Sequence, residues 1–274
     1  MNTKQIETVR VLFIGDVVGK PGRIAVRDLL DGLVDNYNID LVAANGENAA
    51  GGFGVTAEAA ENLFAAGINV LTMGNHVWDK KEALELLADS DRILRPANYP
   101  PGAPGVGLTT VKTPGGVPVT IVNLSGRVFM DNLDCPFRKA DEILSGLDPK
   151  LRCVVVDLHA EATSEKRALG LYLDGRVSAV LGTHTHIQTA DERIMTGGTA
   201  YISDLGMTGN EEGSVIGIDF KAARYRFLNQ MPTRFNLAKG VPTLCGALVE
   251  IDTVTGKAVS IERITRSLGR SVSP

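Results

Sequence analysis

An α/β fold with one or two mixed sheets is predicted by three features of the sequence. Apolar, β-branched runs alternate with helical periods through the N-terminal half, each run stops on glycine or a polar cluster, and paired strands around tight turns follow later. Alternation of this kind calls for central strands covered by helices, and the later hairpins supply antiparallel partners.

Val9–Ile14 reads as a buried strand, and residues 23–37 as a helix with apolar positions at Ile24, Leu29, Leu30, Leu33 and Val34. Leu41–Ala44 is a second strand, Thr56–Ala66 a helix capped by Thr56, and Ile68–Met73 a third strand, which completes a βαβαβ unit. A helix is expected over Asp79–Ala88, with Asp79 and Glu82 at the spacing of a capping box, before the loop RPANYPPGAPGVG. Leu108–Lys112 and Val117–Asn123 flank TPGG as an antiparallel hairpin. Next come a helix over Phe137–Leu147, a strand over Cys153–Leu158, a helix over Glu165–Leu173 and a strand over Ser178–Leu181. Ala247–Asp252 and Ala258–Ile264 form a last hairpin around Thr255-Gly256.

A chain of 274 residues suits one large domain, here residues 1–274, which buries roughly 70–75% of its unfolded surface. The net charge of −4 excludes strong general attraction to nucleic acid or an anionic membrane, though not a local basic patch. Cys135, Cys153 and Cys245 are widely spaced and lack a CxxC pair, so they read as core thiols rather than disulfides or zinc ligands. MNTKQIETVR is no signal peptide, and no run reaches the roughly 20 apolar residues of a membrane helix, so a cytoplasmic protein is expected.

Ligands of open α/β sheets gather beyond the carboxyl ends of the strands. There the sequence places Gly15-Asp16, then Asn45-Gly46-Glu47-Asn48, then Gly74-Asn75-His76, then His159, then GTHTH with His184 and His186. All four histidines of the chain fall in this set. In extended backbone His184 and His186, two residues apart, would point the same way. Oxygen and imidazole donors without thiolate suit manganese, iron or zinc. Seven candidate ligands exceed one ion's needs, so Glu47 is read as a bridge between two cations about 3.5–4 Å apart, which polarises a phosphoryl group and generates hydroxide at neutral pH. His76, beside Asn75, is then free to act as general acid.

Each residue alone has a plainer reading: Asp16 as a turn or cap, His159 as a core histidine, Glu47-Asn48 as a turn. Their joint order outweighs it. GDVVGKP is one residue short of a phosphate-binding P-loop and has Pro21 where Ser or Thr belongs. Ser125 sits in NLSGR, outside any GxSxG pattern. Asn123, Ser125, Arg127 and Phe129 follow a strand end and are candidate substrate contacts, against the alternative of a packed loop. Glu161, Thr163, Ser164 and Glu165 read as supports for His159, or Thr163 or Ser164 as a helix cap, and Gly51-Gly52-Phe53-Gly54 as a loop at the substrate entrance or a simple turn.

This order of motifs resembles the calcineurin-like metallophosphoesterase superfamily, and NGENAAGGFG, GNHVWDK, NLSGRVFM, DLHAEATSEK and GTHTHIQTAD resemble its YmdB-type branch of bacterial phosphodiesterases. The resemblance covers nearly the whole chain. It implies a four-layer α/β/β/α sandwich with two mixed sheets, and hydrolysis of phosphodiesters including 2′,3′-cyclic nucleotides. It also implies two divalent or mixed-valence ions, iron or manganese with zinc as a further option. Matching motifs make Asp16, Glu47, Asn75, His159, His184 and His186 the ligands and His76 the proton donor. The wider superfamily opens with DxH, whereas Val18 stands two residues after Asp16, and Asn48 is the expected replacement. Alternatives are a phosphomonoesterase or nucleotidase on the same metals, or a regulatory protein with weak hydrolysis. The resemblance adds a ribonuclease as a conceivable partner, and a homo-oligomer is a further expectation.

Overall fold

A computed structural model describes residues 7–269. The chain begins β1 (Thr8–Ile14), β2 (Asp16–Val17), α1 (Gly19–Tyr37), β3 (Leu41–Asn45), α2 (Ala57–Ala65), β4 (Val70–Thr72), α3 (Ala83–Ala88) and β5 (Ile93–Leu94). It continues through β6 (Leu108–Lys112), β7 (Pro118–Ser125), α4 (Pro136–Gly146), β8 (Cys153–His159), α5 (Thr163–Leu173) and β9 (Ala179–Thr183). Short elements follow: β10 (Arg193–Ile194), β11 (Ala200–Ile202), β12 (Met207–Asn210), β13 (Ser214–Val215) and β14 (Ile218–Asp219). The chain ends with α6 (Phe220–Asn229), β15 (Pro242–Asp252) and β16 (Ala258–Ser267).

Two mixed sheets stack face to face. The larger has the order β2-β12-β15-β1-β3-β4-β5, with β16 on β15, and the smaller the order β10-β11-β9-β8-β7-β6. Alternating side chains divide the apolar mass into three layers. Val11 and Phe13 of β1 meet Ile121 and Val155 between the sheets, while Leu12 and Ile14 face Val26, Leu30 and Leu63 of α1 and α2. On the far side, Val154 and Val156 of β8 pack with Leu169 and Leu173 of α5. The result is the four-layer α/β/β/α sandwich. In each sheet a parallel set, β1-β3-β4-β5 and β7-β8-β9-β11, carries its strand ends to one side. Among the described residues no helix is long and apolar enough to cross a membrane.

Thr56 caps α2 by accepting the Ala59 N–H at 3.2 Å, as the sequence indicates. Three local expectations are corrected. Helix α1 starts at Gly19, earlier than residue 23, because Pro21 lies in the first turn, where backbone N–H groups have no helical acceptor anyway. Helix α3 starts at Ala83, not Asp79: the Asp79 carboxylate binds a histidine ring, and Glu82 accepts the Ala57 N–H. Neither Thr163 nor Ser164 caps α5, whose first turn follows Ala162 without a side-chain cap. The stretch from Arg193 to Asn229 holds strands of two to four residues and a helix that no periodicity in the sequence marks.

Candidate metal centre and active site

The strand ends converge beside one cavity of about 290 Å³, lined by Glu47, Asn48, His76, His184 and His186 among others, while Asp16, Asn75 and His159 lie outside its lining, Asp16 and His159 fully buried. Asp16 follows β1, Glu47 and Asn48 follow β3, and Asn75 and His76 follow β4 from the larger sheet. His159 closes β8, and His184 and His186 follow β9 in the smaller one. Glu47 Oε1 and Asn75 Oδ1 each stand 3.0 Å from His159 Nε2, and Asp16 Oδ1 stands 3.7 Å from His186 Nε2. Glu47, His159 and His184 offer ligand atoms within 4.8 Å of one another. Glycine at position 74 makes this approach feasible, since a Cβ there would lie 2.2 Å from the His159 ring and 2.4 Å from Glu47 Oε2.

His184 and His186 do share the cavity, but not through extended backbone. Both have left-handed φ, +96° and +65°, so the chain turns sharply at each one. Such angles are unfavourable for non-glycine residues and need a surrounding that holds them. The His184 N–H donates to Asp16 Oδ2 at 3.1 Å, and Asp204 accepts the N–H and hydroxyl of Thr185. Asp204 is itself paired with buried Lys166 at 2.7 Å.

Hydrogen bonds at the outer edge of the cluster decide which ring nitrogen faces inward. The Thr183 hydroxyl donates to Asp157 at 2.7 Å, so it accepts from His159 Nδ1–H at 2.9 Å and leaves Nε2 to the centre. Glu161 lies 3.2 Å from His184 Nε2 and fixes the proton there, turning the Nδ1 lone pair inward. The Ile216 carbonyl does the same for His186 Nδ1, leaving Nε2 toward Asp16. In their neutral forms His159 Nε2 and His184 Nδ1 thus face each other at 3.0 Å with lone pairs, an arrangement stable only with positive charge between or beside them. Asp16 Oδ1 and Asn48 Oδ1, both buried, have no hydrogen-bond partner among the described residues. These orphaned oxygens and facing lone pairs fit cations.

The electrostatics agree. Burial opposes charge on Glu47, but His159 beside it holds the carboxyl at about 2. Burial likewise opposes a charged His159, and Glu47 overrides it, pushing the imidazole up to about 9. Burial, then the charge of His159, pulls His184 down to about 3. Burial pushes the Asp16 carboxyl up, so its charged form, unlike that of Glu47, needs added positive charge nearby, and His184 stays neutral as a lone-pair donor.

His76 stands at the cavity wall with its Nδ1 2.8 Å from Asp79 Oδ2, its backbone N–H on Glu47 Oε2 at 2.9 Å, and the Phe53 ring edge-on at 4.9 Å. Asp79 orients this ring, a role that replaces the cap expected from sequence. Gly51, Gly52 and Phe53 line the cavity, and Gly51, Gly52 and Gly54 have positive φ, so this loop does border the entrance.

The candidate substrate contacts divide differently. Asn123 is fully buried and donates to Met73 O at 2.7 Å and Leu94 O at 2.9 Å, joining the two sheets instead of facing the cavity. Ser125 is buried, with its N–H on Asn98 Oδ1 and its hydroxyl on Gly126 O. Arg127 and Phe129 are exposed but lie outside the cavity lining. Glu165 accepts the N–H groups of Arg127 and Val128, so it braces that loop rather than His159. Sequence reasoning missed Asp157 and Thr183, although both sit inside quoted motifs, because a buried Asp or Thr within a strand carries no local signal of its partner.

Fold and site together define a metal-centred α/β/β/α phosphoesterase architecture. The sequence model described as YmdB-like protein matches residues 12–264, and the chain belongs to this family. It is 49% identical over 256 residues to the 2′,3′-cyclic-nucleotide 2′-phosphodiesterase of Bacillus subtilis, covering 93% of this chain and 96% of that protein. Two solved structures are similar. A hypothetical protein from Thermus thermophilus matches at 44% identity with a TM-score of 0.88, over 94% of this chain and 99% of that one. A novel phosphatase from Mycoplasma pneumoniae matches at 34% identity and a TM-score of 0.90, over 96% and 95% respectively.

Proposed function

We propose that this chain is a metal-dependent phosphoric ester hydrolase that opens small phosphodiesters, 2′,3′-cyclic nucleotides among them. The observation that carries this reading is the clustering of three imidazole lone pairs and two buried carboxylates at one place, Glu47, His184 and His186 lining the cavity and Asp16 and His159 buried beside them, next to a histidine oriented by its own carboxylate. The name of the Bacillus subtilis relative supports the choice of ester.

Asp16, Glu47, Asn48, Asn75, His159, His184 and His186 would hold two cations, and their oxygen and nitrogen donors suit manganese or iron, with zinc also compatible. Bound there, such ions neutralise charge on phosphoryl oxygens and lower the pKa of water. The remaining work falls to the chain itself. Asp79 holds the His76 ring by Nδ1, and no hydrogen bond among the described residues claims Nε2, which is left to protonate the departing oxygen. Phe53 packs against that ring and narrows its contact with water. In a 2′,3′-cyclic phosphate, a water oxygen joins phosphorus and releases one proton to solvent, the bond to O2′ breaks, and His76 gives its proton to complete the 2′-hydroxyl and regains one from solvent. The product is a 3′-monophosphate.

Rates on 2′,3′-cyclic AMP and on 3′-AMP, measured with chelator-stripped protein reloaded with manganese, test this reading. The cyclic diester is expected to be the better substrate. Faster phosphate release from 3′-AMP would favour a monoesterase instead.

A further inference from the structure

A phosphate site commonly gathers lysine and arginine, which neutralise phosphoryl oxygens and donate hydrogen bonds to them. Among the described residues neither type lines this cavity, and much of its wall away from the metal-capable side chains is apolar, with Val18, Phe53, Ile216 and Ile218. Lys166, which reaches the turn at Thr185 through Asp204, is buried and held in that pair at 2.7 Å. Among the described residues, the ionisable side chain of the lining that is neither a candidate ligand nor His76 is Glu161. It precedes Ala162, the N-terminal flanking residue of α5, and the first N–H groups of that helix, which no side chain caps, favour negative charge there. Glu161 Oε2 lies 3.2 Å from His184 Nε2, the side chain is 49% exposed, and no hydrogen bond among the described residues claims Oε1. A carboxylate with an open oxygen thus borders the place where a phosphate must approach His184.

A negative charge in a phosphate cavity weakens the binding of every anion, but not equally. A cyclic phosphodiester carries one negative charge, whereas the monophosphate left by ring opening carries about −1.5 to −2 near pH 7. Repulsion scales with the product of the charges, so a fixed carboxylate acts most strongly on the monoester. We propose that Glu161 is a specificity-determining residue of this site: its negative charge disfavours phosphate monoesters and speeds release of the monoester product, leaving singly charged diesters as the substrates. The inference rests on the phosphodiesterase reading and assigns the choice between diester and monoester to one side chain. The contact with His184 is a separate role, and the two can be told apart. Glutamine at this position keeps an oxygen for the His184 Nε2–H and removes the charge, while aspartate keeps the charge and draws it back from the ring.

The test measures KM for 2′,3′-cyclic AMP and the inhibition constant Ki of 3′-AMP in full-length, manganese-reloaded protein, for the wild type, Glu161→Gln and Glu161→Asp. In Glu161→Gln the Ki of 3′-AMP should fall about tenfold and KM for the cyclic ester by less than about threefold, since removal of one fixed charge favours the more highly charged anion. The gap between wild type and Glu161→Gln should narrow as salt rises, because the group is half exposed and its charge is screened. Glu161→Asp should retain most of the wild-type ratio of Ki to KM. Equal shifts of both constants in Glu161→Gln would overturn the proposal and leave Glu161 as a support for His184 alone, as would a ratio that Glu161→Asp loses as fully as Glu161→Gln, or a gap that salt does not change. Calorimetric binding of 3′-AMP to the same metal-loaded proteins reads the effect without turnover. Should cyclic AMP not be opened at all, the phosphodiesterase reading fails, and calorimetry alone decides the role of Glu161: tighter binding of 3′-AMP to Glu161→Gln supports it, and unchanged affinity overturns it.

Discussion

The Thr183 hydroxyl accepts the Nδ1 proton of His159 at 2.9 Å, and this contact determines which face of a fully buried ring can bind a cation. Asp157 makes it directional by taking the hydroxyl's own proton at 2.7 Å. Thr183→Val keeps the shape and removes the acceptor. Loss of such an outer partner typically lowers metal affinity by about 10–100-fold. Competition of the variant against a chelator of known affinity for manganese should show a loss in that range, with the thermal stability of the metal-loaded protein much less affected. Unchanged affinity would mean that the ring is positioned by other contacts.

Asp79 and His76 act as a unit in this account. His76→Ala should lower kcat by about 10²–10⁴-fold, the range of general acid catalysis, with metal content preserved. Asp79→Asn should lower kcat by a smaller factor, and the double variant should be no slower than His76→Ala alone, because coupled residues are not additive. Steady-state kinetics on 2′,3′-cyclic AMP give all three numbers. A double variant slower by the product of both single effects would separate the two residues.

Asn48 presents a buried Oδ1 with no hydrogen-bond partner among the described residues, while its Nδ2 donates to Gly52 O at 2.9 Å. If that oxygen serves a cation, Asn48→Ala should reduce bound manganese per chain at limiting metal. Elemental analysis after dialysis reads this directly, and unchanged stoichiometry and affinity would remove Asn48 from the ligand set.

Asn123 should behave as a structural residue. Its side chain bonds two carbonyls of the opposite sheet; Leu94 O keeps the Met73 N–H, so Asn123→Ala takes this buried partner from Met73 O at a cost of about 1–3 kcal/mol. Urea unfolding should show the loss, while KM for the cyclic nucleotide stays unchanged. A raised KM without a change in stability would restore it to the substrate pocket.

Much of the fold was legible because strands buried on both faces open with continuous apolar runs, such as Leu41 to Ala44 and Cys153 to Val156. The metal-capable residues were legible for a related reason: glycines and polar groups break the apolar runs, so Asp16, Glu47, Asn75 and His184 stand out just past them. What stayed hidden depends on distant partners. Asp79 looks like a helix cap at its spacing to Glu82, and only the His76 ring placed beside it shows otherwise. The left-handed turns at His184 and His186 are held by Asp16 and Ile216, which lie far off in sequence. The strands β10 to β14 are too short to display a period at all.

Titration of manganese into chelator-stripped protein, with opening of 2′,3′-cyclic AMP followed by phosphorus NMR, tests the central claim most directly. The account predicts no turnover without metal, a rate that rises to a plateau at two equivalents bound, and 3′-AMP as the product. Protein holding two equivalents that leaves the cyclic phosphate intact, or that yields 2′-AMP, would contradict it.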